Sequence, residues 1–254
     1  MAERTTVKIA RQNFVSRVLN PKYIMIYATI GVFLMIYLFG ALMYGDIGFT
    51  TIRTFLNMFI DNAYFGISAV GMTMVLITGG IDLSVAAIAS LTGMFIAYGN
   101  SILGINPFLC IAFAMVIGTG LGALMGAMIH YLNVPPFITT LTGMFLARGV
   151  CSMISRESIA INNDAFNALA GWKIYVRHLV DGEWVKVKPV AFINFNVLLF
   201  LFVILMGAYI LKSTRLGRNI YAVGGNEQSA KLMGLPVAKT KIFVYAFNGF
   251  CSVL

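Results

Sequence analysis

The sequence predicts an all-α, polytopic transmembrane bundle with a discontinuous helix near Gly79–Ser84 and a small external β-hairpin, and three observations carry that reading. Hydrophobic residues make up 59% of the chain and charged residues 11%, against roughly 25% charged in a soluble domain. Several uncharged runs reach about 20 residues, enough to cross a hydrocarbon layer of about 30 Å and more than one soluble core can bury. The basic residues flank these runs instead of forming an aromatic-interleaved patch, so the net charge of +9 reads as membrane topology and excludes a nucleic-acid surface.

The elements follow in order. Residues 1–22 form a basic arm in which Arg4, Lys8, Arg11, Arg17 and Lys22 precede the run Tyr23–Tyr44. That run is too long for a cleavable signal core, so it is expected to stay as an anchor. Val7, Ala10, Phe14 and Val18 share one helical face of the arm, which suits an anionic membrane surface as well as simple orientation. From residue 23 to 254 the chain reads as one transmembrane domain with spans at Tyr23–Tyr44, Ala63–Thr78, Leu83–Tyr98, Pro107–Tyr131, Phe137–Met153 and Phe192–Leu211, and a seventh from near Lys241. The loop 212–240 carries Lys212, Arg215, Arg218, Lys231 and Lys239 against the single acid Glu227, which marks it as cytoplasmic, as the basic arm is. An even number of spans between two cytoplasmic segments keeps these assignments consistent. LTGMFIAYG at Leu91–Gly99 recurs as LTGMFLARG at Leu141–Gly149, either an internal transporter repeat or two helices using the same glycine-mediated packing.

The stretch 155–191 is then the long external loop. KIYVRHLV, Asp181-Gly182 and EWVKVKPV read as a hairpin, since Asp-Gly supplies the positive φ angles of a tight primed turn. His178 on this hairpin reads as a surface residue, and Cys110, Cys151 and Cys251 have no metal-like spacing. The final run KIFVYAFNGFCSVL is short for a crossing, so the chain is expected to be the N-terminal part of something longer.

Catalytic signatures are sparse. No G-x-x-x-x-G-K-[ST] phosphate cradle is present, and His130 and His178 stand in neither an H-E-x-x-H nor a G-x-S-x-G context. No enzyme activity, metal or cofactor is therefore expected of this chain. The sharpest local feature is Thr78-Gly79-Gly80-Ile81-Asp82-Leu83-Ser84, where two glycines loosen the backbone and Asp82 or Ser84 caps the next helix. Asp82 equally reads as a substrate contact or a proton site. Asn57, Asp61, Asn62 and Thr73 near the second span, with Phe65, offer the hydroxyl partners and aromatic face a sugar needs, or else bond neighbouring helices. Asn133-Val134-Pro135-Pro136-Phe137 opens the fifth span, and Phe137 and Thr140 join the candidate pathway. In the loop 212–240, Asn226 caps a short helix, Glu227 favours its positive end, Ala230, Leu232 and Met233 supply contacts, and Gly234-Leu235-Pro236 ends it.

Three stretches together resemble the permeases of ribose-, xylose- and galactofuranose-type ABC transporters, within them most the galactofuranose-type subgroup: DNAYFGISAVGMTMVLITGGIDLSV (Asp61–Val85), VPPFITTLTGMFLARGV (Val134–Val150) and TRLGRNIYAVGGNEQSAKLMGL (Thr214–Leu235). The resemblance implies a sugar importer with cytoplasmic ATPase subunits that bind ATP and Mg, an external sugar-binding protein and a second permease subunit, identical or different. It implies a bacterial-type inner membrane and makes Asn226–Met233 the element that couples to the ATPase, with Arg218, Tyr221, Gly224, Gly225, Glu227, Ala230 and Gly234 shaping that surface. The hairpin is longer than the family needs, and the further helices that family members carry after the coupling loop are absent here. An ion-coupled carrier using Asp82 or Asp61, and an inactive membrane fragment, are the alternatives.

Overall fold

The computed structural model describes residues 24–161, 163–180, 183–186 and 191–254, so the basic arm and the Asp181-Gly182 turn lie outside the described residues. The chain divides into two compact units at Phe55. The first contains helix α1, Ile24–Tyr44, which buries none of its residues. It is apolar along its length and long enough to cross a membrane. After it comes a 3-10 turn, Gly45–Ile47, closed by Gly48 at φ 89°. The hydroxyls of Thr51 and Thr54 both donate to the Gly48 carbonyl, at 2.8 and 3.0 Å, and fasten that turn.

The division falls within the first turn of α2, Ile52–Ile77, and the second unit holds the rest. Its order is α3 (Val85–Ser101), α4 (Pro107–Tyr131), α5 (Pro136–Ile154), α6 (Asp164–Ala170), strands β1 (Lys173–Tyr175), β2 (Arg177–Val180), β3 (Glu183–Lys186) and β4 (Phe192–Asn194), then α7 (Phe195–Ser213), α8 (Arg215–Gly225), α9 (Glu227–Leu232) and α10 (Val237–Val253). Helices α1, α2, α4, α5 and α7 are long and apolar enough to cross a membrane, while α3 is shorter. The polytopic helical bundle is therefore present.

Several boundaries move, each for a local reason. The second span begins at Ile52, ahead of the expected Ala63, because a helical backbone runs through Arg53, Asn57 and Asp61 where the apolar run does not. The sixth was expected from Phe192, but Phe192–Asn194 is strand β4, and Asn194 caps α7 by accepting from Val197 N at 3.2 Å. The last helix begins at Val237, one turn before Lys241, directly after Pro236. The hairpin pairs Val180 with Glu183 and Arg177 with Lys186. A second antiparallel ladder pairs Lys173 with Asn194 and Tyr175 with Phe192, so the ribbon extends to the start of α7.

The core is built where backbones approach closely. Cβ atoms on Gly118, Gly122 and Gly126 of α4 would collide with Val253, with the Tyr245 carbonyl and with the backbone around Lys241 and Ile242, all on α10. Spacing of four residues sets these glycines on one face, so α4 and α10 pack backbone to backbone. Around them Ile67, Met74, Val75, Ile129, Val203, Ile220, Val244 and Phe247 form the main apolar cluster. A second cluster joins α3 to α5 through Ala87, Leu91 and Ala147. The two copies of LTGMF thus lie on helices that pack together, and that packing accounts for the echo as well as a repeat would.

Candidate functional site

The glycines after α2 end it instead of loosening it. Gly79 stands at φ 80°, its N–H bonds Leu76 O at 3.0 Å, and Gly80 N–H bonds Val75 O at 3.1 Å. This pair of bonds across a left-handed glycine is a Schellman closure. Residues 78–84 then cross to α3 without regular structure, which inside an apolar bundle requires that their polar groups find partners.

Asp82 supplies several of them. It is 2% exposed; its Oδ1 accepts from Ser84 N at 2.8 Å and from Ser84 Oγ at 2.6 Å. Its Oδ2 accepts from Asn248 Nδ2 on α10 at 2.8 Å. Ser84 holds the cap position of α3, yet its hydroxyl turns to Asp82 and bonds no helical N–H, so capping by Ser84 is corrected: Asp82 organises the entry through Ser84. Thr140 on α5 is fully buried, with its hydroxyl 3.3 Å from the Ile81 carbonyl and 2.9 Å from Pro136 O. The Tyr245 hydroxyl lies against Gly80, where a Cβ would displace it.

The structure therefore brings Asp82, Ser84 and Thr140 together and adds Asn248 and Tyr245, which sequence reasoning passed over. The available signal was a lone amide inside the final apolar run. Asn57, Asp61, Asn62 and Phe65 do not join them. Asp61 is sixteen residues before the end of α2, about 24 Å along its axis. Asp61 and Phe65 are exposed, and Asn62 Nδ2 returns to Met58 O at 2.8 Å. Phe137 is 52% exposed, unlike the fully buried Thr140 on the same helix. Among the described residues no group of three His, Cys, Asp or Glu is placed to hold a metal.

The loop after α7 contains two helices where one was expected. Thr214 caps α8 by accepting from Gly217 N at 3.1 Å, and Asn226 caps α9 by accepting from Ser229 N at 2.8 Å. Gly234, at φ 74°, closes α9 with bonds to Lys231 O and from Leu235 N to Ala230 O. Gly224 rests on the Ile77 carbonyl so closely that a Cβ has no room. The end of α8 is thus seated on the end of α2, beside the break.

Of the residues assigned to this surface, Ala230 is fully buried against Val223 and Val237. It holds α9 to the protein and is not part of an outward face, which corrects its expected role. Arg218, Tyr221, Gly224, Gly225, Asn226, Glu227 and Gly234 are exposed, and Leu232 and Met233 are the most open apolar side chains there, at 85% and 67%. Glu227 pairs with Lys241 of α10 at 2.6 Å. Beside that pair a cavity of about 200 Å³ reaches Thr78, Gly79, Gly80, Pro136 and Tyr245, between α9 and the break.

Broken helices inside an apolar bundle are how transport proteins place polar backbone at membrane depth, and a multi-span membrane protein with such a break is the class this architecture defines. The comparisons make it specific: residues 54–254 match the family described as branched-chain amino acid transport system / permease component, and the chain belongs to that family. It is similar to the inner membrane ABC transporter permease protein YjfF of Escherichia coli K12, 39% identical over 87% of this chain and 62% of that protein. The fructose import permease protein FruG of Bifidobacterium longum is 36% identical over 89% and 64% respectively. The ribose import permease protein RbsC of E. coli K12 is 37% identical over 81% and 60%. The chain thus spans a little under two thirds of the length of these curated relatives. No solved structure matches it.

Proposed function

We propose that this chain forms part of the permease subunit of an ATP-driven, binding-protein-dependent importer of a monosaccharide. The observation that carries the proposal is the seating of α8 and α9. The helix α9, capped at both ends and open on Leu232 and Met233, is held by buried Ala230, and α8 just before it is seated through Gly224 on the Ile77 carbonyl. Exposed apolar side chains on such an element suit a soluble partner, and close backbone packing leaves little slack between that partner and the break. The sugar names of the relatives support the cargo.

On this reading ATP and Mg belong to cytoplasmic ATPase subunits that press on α9. A second permease subunit completes the pathway, and an external binding protein delivers the sugar. The basic arm and the loop 212–240 face the cytoplasm and the hairpin faces outside, in a bacterial-type inner membrane. Closure of the ATPases moves α8–α9, and the rigid seat on α2 carries that movement to residues 78–84.

The test is uptake by proteoliposomes containing the complete permease, its ATPase subunits and its binding protein. Uptake is expected to need ATP and to persist when ion gradients are collapsed; gradient-driven uptake without the ATPase would overturn the proposal. Replacing both Leu232 and Met233 with Glu should cut ATP-driven uptake about tenfold or more, since a loss of about 1.4 kcal/mol at an interface is a factor of ten. Helical content by circular dichroism should stay unchanged, because both side chains are open.

A further inference from the structure

We propose that α10 is the strut that ties the partner-facing helix α9 to the helix break, and that Lys241, Tyr245 and Asn248 are its positioning residues; the inference rests on the permease reading above. The three residues are spaced by four and three, so they fall on one face of α10 within about 10 Å of its length. Each meets a different segment. Lys241 Nζ pairs with Glu227 of α9 at 2.6 Å. The Tyr245 hydroxyl lies on Gly80, just past the closure of α2. Asn248 Nδ2 donates to Asp82, the carboxylate that organises the start of α3, at 2.8 Å. One helical face thus joins α9, the end of α2 and the entry to α3.

The rest of α10 makes it a stiff connector. Gly118, Gly122 and Gly126 hold α4 against its backbone, so α10 has no room to flex toward α4 and responds to a push on Lys241 by moving as a unit. The polar face is also incompletely satisfied: Tyr245 Oη and Asn248 Oδ1 are buried without a hydrogen-bond partner.

The experiment measures sugar imported per ATP hydrolysed by the complete permease, reconstituted with its ATPase subunits and binding protein. Asn248→Asp sets two buried carboxylates face to face, and Lys241→Glu sets two acids together at the other end. Each is expected to lower the ratio about tenfold while ATP hydrolysis continues, in the range typical of coupling between linked sites. Asp82→Asn with Asn248→Asp restores an amide donating to a carboxylate, and Glu227→Lys with Lys241→Glu restores the ion pair, so both exchanges should recover most of the ratio. A role in folding alone would reduce the amount of protein inserted and leave the ratio as it was. An unchanged ratio in the single variants, or exchanges no better than the singles, overturns the strut. Failure of the permease reading looks different: the unaltered complex would show no ATP-dependent uptake. Should Asn248→Asp fail to insert, the pair Glu227 and Lys241 still decides the matter, because Glu227 is about half exposed and outside the core.

Discussion

Asp82→Leu is expected to abolish uptake and to lower the thermal unfolding midpoint of the detergent-purified protein steeply, whereas Asp82→Asn should keep most of both. The reason lies in what the carboxylate leaves behind. Ser84 N, Ser84 Oγ and Asn248 Nδ2 all donate to it. Leucine would orphan three donors in an apolar surround, at about 1–3 kcal/mol each. Removing the charge recovers desolvation energy but does nothing for those donors. Asparagine keeps an oxygen for Ser84, and its amide then faces Asn248. Asn248 has an unpaired Oδ1, so turning its own amide over accepts the new donor. Equal loss in both variants, with normal insertion, would show that the charge itself is required and that the hydrogen-bond account of Asp82 is incomplete.

Gly122→Leu should be strongly damaging, and Gly120→Leu, two residues away, should be nearly silent. A Cβ on Gly122 meets the carbonyl of Tyr245 and the Cα of Ala246, while nothing stands within 4 Å of one on Gly120. Backbone atoms cannot turn aside as a side chain can, so α4 and α10 would have to separate. Overpacking a well-fitted core costs about 1–3 kcal/mol, and more where helices must shift. Size-exclusion profiles and melting midpoints in detergent measure this directly. Comparable behaviour of the two variants would remove the backbone-to-backbone contact from the account.

The break at Thr78–Ser84 was legible because a local rule governs it: two glycines and an acid between apolar runs stop one helix and start another. Asn226, Glu227 and Gly234 were legible for the same reason, since caps and stops act within a few residues. Ala230 was misjudged because exposure is not local; its side chain is hidden by Val223 and Val237, which come from the neighbouring helices. The helix α8 was missed because a basic, glycine-containing segment reads as loop until its apolar face finds a partner. Asn57, Asp61, Asn62 and Phe65 were grouped with Asp82 by nearness in sequence, which a straight helix converts into distance.

Apolar content, run length and charge placement determined by themselves that this chain is a multi-span membrane protein, because the cost of taking helices and charges into hydrocarbon is paid residue by residue. Which polar groups meet was decided only by the tertiary structure. Asp82 and Asn248 are 166 residues apart, and no local preference encodes that pairing; it follows from glycines on α4 that admit the backbone of α10 and so set where Asn248 lands.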